Sequence, residues 1–246
     1  MRWRPPEVHR REHYVPRRRA ERWIVPLLAE AIDARLARDA APLAPGRCLD
    51  VGCGGQPFRR QLEQLGFLYT GFDVHQNPAG SVEVLGAIDE PLPPALLARA
   101  PFDFVLCTEV LEHVPRWPEA FGNLERLLAP GGRLLVTAPH IWLPHEEPSD
   151  FHRPTSWALD FHGRGAGLRP IEIARLGDGY DVLGTVLALT RPKTPPQRPW
   201  LAPLALPVTL VRRLLLGALQ LRWLRRMVTL ETALYLGTIA VFEKPR

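Results

Sequence analysis

The stretch Leu49-Asp50-Val51-Gly52-Cys53-Gly54-Gly55-Gln56-Pro57-Phe58 constrains the fold more than any other part of the chain. It joins a short apolar run, 47–51 (RCLDV), to a helical segment expected from about Pro57 to Leu65. Glycines in such a strand-to-helix turn accept positive φ and let a ligand approach the backbone closely. Pro57 suits the first turn of a helix, where its missing N–H costs nothing. Ligands of open α/β sheets bind outside the carboxyl ends of the strands. Purely structural turns also use glycine, so the surrounding residues decide what is bound. A dinucleotide fingerprint needs glycine where Pro57 stands, and a P-loop needs a Gly-Lys-Ser/Thr sequence that is absent. Instead, Asp50 sits two residues before the first glycine. A carboxylate there suits a pyrophosphate poorly and suits a ligand with ammonium and sulfonium charges well. Asp73 ends the next expected strand, 68–72 (LYTGF), where an acid accepts both hydroxyls of a ribose.

The rest of the chain alternates in the same manner. Residues 23–39 have helical spacing, 82–85 and 102–107 read as strands, 119–128 as an amphipathic helix, and 133–138 as a strand after the turn Pro130-Gly131-Gly132. A short helical piece at 96–99, a helix at 155–167 and strands at 171–176 and 234–243 complete the pattern. Alternation of this kind predicts an α/β fold: a mostly parallel sheet with helices on both faces. At 246 residues with 46% hydrophobic content, the chain can bury a core without disulfides or a structural metal. Its cysteines, Cys48, Cys53 and Cys107, form no C-x-x-C pair, which fits a reducing, cytoplasmic compartment. No secretory signal and no membrane-spanning run are expected.

Three segments together carry a resemblance. They are Leu49–Gly55 (LDVGCGG), Gly71-Phe72-Asp73, and Phe102–Val114 (FDFVLCTEVLEHV) followed by Leu127–Pro139 (LLAPGGRLLVTAP). The chain resembles class I S-adenosylmethionine-dependent methyltransferases of the ubiquinone-methylase-like, type 11 group. The resemblance implies a Rossmann-like seven-stranded, mostly parallel sheet with an antiparallel last strand. It implies S-adenosylmethionine as cofactor. Backbone at Gly52, Cys53 and Gly54 would line the methionine part, with Asp50 reaching its amino group. Asp73, with Val74 beside it, would hold the ribose, and Asp89 would lie near the adenine, two residues from the family's usual position. Cys107, Thr108 and Glu109 would stand beside the reacting methyl. Asp103 reads as a structural strand-start residue, and Glu112-His113 as packing and capping. By this mapping, residues 1–44 form a basic arm and edge helix, 45–180 the cofactor-binding core, 181–233 an apolar, basic helical insert, and 234–246 the final strand of the core.

Methyl transfer from an activated donor can rest largely on positioning. A hydroxyl acceptor also needs a base within hydrogen-bonding reach. The loop 140–155 holds three His, three acids and one Arg, with His140 and His145 as candidate bases and Arg153 as a candidate anchor for an anionic acceptor. A structural reading is preferred for part of it: Asp150 pairs with Arg153, and Thr155 caps the next helix. The spacing of His145, Glu146 and His152 is not diagnostic of a metal, so none is expected.

Charge is unevenly placed. Residues 1–22 carry a net +5, 182–230 carry +8 with no acid, and 23–181 carry −8. Basic ends point either to an anionic partner or to solvated segments that keep an apolar insert soluble. Residues 208–228 read as one helix, apolar around much of its circumference, after a proline cluster at 192–207. Segment 199–228 is either an interfacial helix at the inner membrane face or a helix packed on the core or a second subunit. A nucleic-acid partner is not expected, because Cys107-Thr108-Glu109-Val110 stands where an Asn/Asp-Pro-Pro-Tyr/Phe motif would. The reading is therefore a methyltransferase acting on a small-molecule, glycan or lipid-linked acceptor, most naturally at oxygen. The alternative is a cofactor-binding protein of the same fold without catalysis, a sensor or partner subunit.

Overall fold

The computed structural model describes residues 13–190, 202–230 and 233–246. The first 12 residues of the basic arm and most of the proline cluster lie outside them. The chain forms two compact units. One holds residues 13–14, Ala29–Arg175 and Gly237–Arg246; the other holds Val15–Leu28 and the described part of Leu176–Leu236.

The first unit is built on a seven-stranded sheet. Its strands are β1 (Gly46–Val51), β2 (Phe67–Asp73), β3 (Val84–Leu85), β4 (Phe102–Thr108), β5 (Leu128–Pro139), β6 (Arg169–Leu176) and β7 (Gly237–Glu243), in the order β3-β2-β1-β4-β5-β7-β6. β1 pairs in parallel with β2 and β4, β2 with β3, and β4 with β5, while β7 runs antiparallel to β5. The strand order reverses at β1, where β2 and β4 diverge. The carboxyl ends of β1, β2 and β4 therefore frame the crevice in which an open α/β sheet binds its ligand.

Both faces of the central strands are buried, as parallel sheets require. Alternation sends Leu49, Val51, Val105, Cys107, Leu134, Val136 and Phe242 into one core with Trp117, Phe121, Leu124 and Leu159. Trp117 to Leu124 belong to α4 (Trp117–Leu127), whose apolar residues recur at helical spacing. Leu159 lies on α5 (Ser156–Gly165), which Thr155 caps by accepting from the Ala158 N–H. Shorter helices α2 (Arg59–Gln64) and α3 (Pro94–Leu97) follow β1 and β3, and α1 (Val25–Arg35) precedes the sheet. Asp103 has the structural role read from sequence, since its carboxylate accepts from the Arg47 N–H at 2.8 Å.

Two sequence expectations shift. Pro130-Gly131-Gly132 does not interrupt the strand. β5 runs through it with a register break between Phe102 and Phe104 of its neighbour, and Gly131 takes φ +78° to make the bulge. The single helix expected over 208–228 is two: α7 (Ala202–Ala218) and α8 (Arg222–Met227), broken at Leu219–Leu221. α7 begins earlier than the proline content suggested and carries Pro207 within it.

The second unit is organised by α6 (Gly179–Leu189), which falls at the start of the expected helical insert but was not placed as a separate helix. Asp178 and Asp181 form a reciprocal capping box at its start. Arg225 of α8 reaches Asp181 at 2.7 Å and Asp178 at 3.2 Å. Arg212 of α7 is buried and donates to the terminal carbonyls Leu187 and Ala188 at 2.9 and 2.8 Å. The outer side of α7 and α8 remains apolar and exposed, with Leu206, Leu210, Leu214, Trp223 and Met227 each more than half accessible.

Close packing of α5 on β7 gives a sharp stability contrast. A methyl on Gly163 would stand 2.4 Å from Cε1 of the fully buried Phe242, whereas one on exposed Gly122 of α4 would meet nothing within 4 Å. Gly163→Ala is expected to lower stability by about 1–3 kcal/mol. Gly122→Ala is expected to raise it by up to about 1 kcal/mol. Thermal unfolding of both variants checks the pair.

Candidate functional site

The turn after β1 is shaped by hydrogen bonds to β2. The Gly52 N–H donates to the Phe72 carbonyl at 2.7 Å, and the Gly54 N–H donates to Oδ2 of Asp73 at 2.9 Å. Oδ1 of Asp73 accepts from the His75 N–H at 3.1 Å. One carboxylate thus ties the glycine turn to the end of β2. Gly52 has φ +66°, and a Cβ there would lie 2.3 Å from Cγ2 of Val110. Only glycine leaves the turn both its left-handed conformation and its open space.

Above these strand ends lies an open cleft. Its floor is Val51, Gly52 and Phe72; Asp73 and Val74 form one side, Gly86 to Asp89 another, and Glu109, Val110, His113 and Val114 the third. Asp89 is buried and accepts from Nε of Arg116 at 3.2 Å. Glu109 sits at φ +53°, held by Thr137, whose hydroxyl donates to Oε1 of Glu109 at 2.9 Å. A non-glycine residue kept in this region at a cleft wall is the kind of strain found at functional sites.

Of the residues singled out from sequence, Gly52, Asp73, Val74 and Asp89 come together in the cleft wall. The lining does not include Asp50, Cys53, Gly54, Cys107 or Thr108. Strand alternation explains Asp50: Val51 lines the cleft, so Asp50 faces the other side of the sheet. Cys107 pairs beside Val51 on the same face but is fully buried in the apolar core. Thr108 accepts from the Tyr14 hydroxyl at 3.4 Å. Tyr14 also packs its ring on Phe58, at 5.1 Å between centroids. Burial and the Glu109 carboxylate push the Tyr14 phenol up. Sequence reasoning did not identify Tyr14, because an arm residue far from any motif gives no periodic signal.

Asp50 is fully enclosed and accepts from the Tyr69 hydroxyl at 2.7 Å. Burial raises its carboxyl from 3.8 to about 7, against the lowering effect of Tyr69 and helped by Asp73 and Glu83. Between these values the folded chain keeps a proton that the unfolded chain releases. The stability this group contributes is therefore full below pH 3.8 and is lost as pH rises through about 7. Asp50→Asn, which can still accept from Tyr69, should remove that decline. Unfolding temperatures of the two proteins across this range check it: the variant gains on the parent toward alkaline pH.

The loop after β5 is held as the structural reading expected. Arg153 binds Asp150 with two hydrogen bonds of 2.6 Å. Burial alone would raise Asp150, but these bonds outweigh it and hold the carboxyl below its usual range. Arg153 therefore serves the loop. Nδ1 of His140 lies 2.9 Å from the Pro154 carbonyl. Burial and then His113 lower the pKa of His145. Neither His140 nor His145 is among the cleft-lining residues; His113 and Glu109 are.

Comparison with known proteins agrees with this architecture. Residues 17–167 match the family model described as a methyltransferase domain. The ubiquinone biosynthesis O-methyltransferase of Ralstonia nicotianae is 35% identical over 112 residues, which cover 42% of this chain and 47% of that protein. The enzyme of the same name from Caulobacter vibrioides is 36% identical over 115 residues, covering 42% and 46%. The chain thus spans about half the length of the curated relatives it matches. A solved S-adenosylmethionine-dependent methyltransferase from Archaeoglobus fulgidus superposes with a TM-score of 0.53 at 17% identity, covering 87% of this chain and 94% of that one. A [4+2]-cyclase, SpnF, superposes with a TM-score of 0.53 at 17% identity, covering 98% and 89%.

The sheet order and the glycine turn after its first strand define a class I methyltransferase fold. The chain belongs to the methyltransferase-domain family, whose methyl donor is S-adenosylmethionine.

Proposed function

We propose that the protein is an S-adenosylmethionine-dependent methyltransferase acting at oxygen on a small-molecule or lipid-linked acceptor. The observation that carries the cofactor half is the cradle: a glycine turn with no room for a Cβ, next to a buried carboxylate that ends β2. The residues fit the cofactor. Gly52 would admit its methionine part, Asp73 would accept from its ribose hydroxyls, and Val74, Ala87 and Ile88 offer apolar cover for a purine, with Asp89 at the rim. Asp50, two residues before the turn, is a buried carboxyl on the far side of β1. When bound, the cofactor supplies an activated methyl group.

The chain then has to position an acceptor, exclude water and receive a proton where the acceptor is a hydroxyl. Glu109 stands in the cleft wall as the proton acceptor, fixed by Thr137, with His113 beside it. The name of the curated relatives, ubiquinone biosynthesis O-methyltransferase, supports oxygen as the target. The cyclase of similar fold shows why the fold alone does not set the reaction. The exposed apolar face of α7 and α8, with Arg213 and Arg226 on the same segment, supports an amphiphilic acceptor met at a membrane surface. Among the described residues no helix is long and apolar enough to cross a membrane.

The test is incubation with a methyl-labelled donor and paired phenol acceptors, with and without an alkyl tail, followed by mass spectrometry. Label on the oxygen of the tailed acceptor is the expected result. Cofactor binding without label in any acceptor would favour the non-catalytic reading. Flotation with anionic vesicles tests the surface: the parent should float, and Leu210→Glu/Leu214→Glu should not. Equal behaviour would assign the apolar face to a protein contact.

A further inference from the structure

We propose that Glu112, His113 and His145 hold a divalent transition-metal ion in the wall of the cleft. Each offers one ligand atom, and the three atoms lie within 4.8 Å of one another. Oε1 of Glu112 is 3.8 Å from Nε2 of His113 and 3.8 Å from Nε2 of His145. Oε2 of Glu146 lies 4.0 Å from Nε2 of His113 and is placed to be a fourth donor. Donors around a tetrahedral ion with bonds of roughly 2.1 Å stand about 3.4 Å apart. The Glu112 oxygen therefore needs to close on each imidazole by only a few tenths of an ångström, while the two imidazoles, up to 4.8 Å apart, need a side-chain movement of more than about 1 Å.

A second observation points to a cation. The Glu112 side chain is 0% exposed, and neither of its oxygens has a hydrogen-bond partner. A buried carboxylate in that state needs a proton or a cation to neutralise it. The imidazoles are oriented for the cation. Nδ1 of His113 lies 2.7 Å from the Ser149 carbonyl, which fixes the proton on Nδ1 and the lone pair on Nε2. Nδ1 of His145 lies 3.3 Å from the Leu143 carbonyl and 3.3 Å from Nη2 of Arg153. Metal at Nε2 selects the form that donates to Leu143. The positive charge of Arg153 is met by Asp150 at 2.6 Å.

Two imidazoles with carboxylates favour zinc, cobalt or iron over magnesium or calcium. The spacing of His145, Glu146 and His152 in sequence concealed this set, because two of its members come from the turn after β4. His152 instead packs its ring at a tilt against Trp117, at 5.2 Å between centroids. Because His113 also lines the cleft, a metal there would make an acceptor hydroxyl more acidic. That use rests on the methyltransferase reading; metal binding itself does not.

The test uses the full chain, stripped with a chelator and titrated separately with zinc, cobalt and magnesium ions. One zinc or cobalt ion per chain is expected, with visible cobalt bands of a nitrogen–oxygen site. Loss of a supporting neighbour alone costs about 10–100-fold in metal affinity, so His145→Gln and Glu112→Gln should each cost at least about 100-fold. His145 lies on a partly exposed loop, so His145→Gln should keep its metal-free unfolding temperature and its affinity for S-adenosylhomocysteine. Substoichiometric binding, a preference for magnesium, or full zinc affinity in His145→Gln would overturn the proposal. Intact zinc binding without any S-adenosylhomocysteine binding would overturn the functional reading alone.

Discussion

Asp73→Ala is expected to weaken S-adenosylmethionine binding by more than about a hundredfold. The carboxylate would accept two hydrogen bonds from the ribose, and hydrogen bonds to a charged group contribute about 1.5–3 kcal/mol each. Even the lower figure doubled gives about 3 kcal/mol, a factor above one hundred in Kd. The substitution also strands the N–H groups of Gly54 and His75, which now donate to Asp73. Asp73→Asn separates the two effects. It can keep one backbone partner and one ribose hydroxyl, so its Kd should fall between those of the parent and the alanine variant. Titration calorimetry reads all three, with circular dichroism to confirm that each is folded. An unchanged Kd in both variants would remove Asp73 from the site.

Gly52→Ala is expected to abolish measurable cofactor binding while leaving the sheet folded. Two costs combine there. A left-handed conformation disfavours an L-residue by roughly 1–2 kcal/mol, and the new methyl meets Val110 at 2.3 Å in the cleft floor. Val110→Ala in the same chain removes the collision but not the strain. The double variant should therefore recover part of the affinity, and the coupling between the two substitutions should be clearly non-additive. Additive losses would mean that the turn and Val110 are not in contact during binding.

These outcomes bear on how far the residues could be read before the structure. The sheet was legible because buried parallel strands leave continuous apolar runs and because glycine and proline mark the turns between them. Gly52, Asp73 and Val74 were placed in the cleft wall for the same reason: each sits at a strand end whose position the pattern fixes, whereas Asp89, four residues past β3, was reached only through the family resemblance. Asp50 and Cys107 show the limit. They belong to strands that were placed well, but which face a side chain takes depends on where the floor of the cleft lies. Asp50 turns to Tyr69, and Cys107 turns into the core.

Long-range contacts were not legible. The fit of the arm residue Tyr14 near Thr108 spans 94 positions. The meeting of Glu112 with His145 joins two loops whose separation no periodicity encodes. The break between α7 and α8 was hidden as well, since leucines continue through it and only the turn at Leu219–Leu221 ends the first helix.

The central claim is that the cleft at the ends of β1, β2 and β4 is the seat of an adenosyl cofactor. Co-crystallisation of the full chain with S-adenosylhomocysteine tests it most directly. The account predicts ribose hydroxyls on the Asp73 carboxylate, the adenine against Val74 and Ile88, and the amino-acid end over Gly52. Density for the nucleoside elsewhere on the molecule, or a cleft unchanged at saturating ligand, would contradict it.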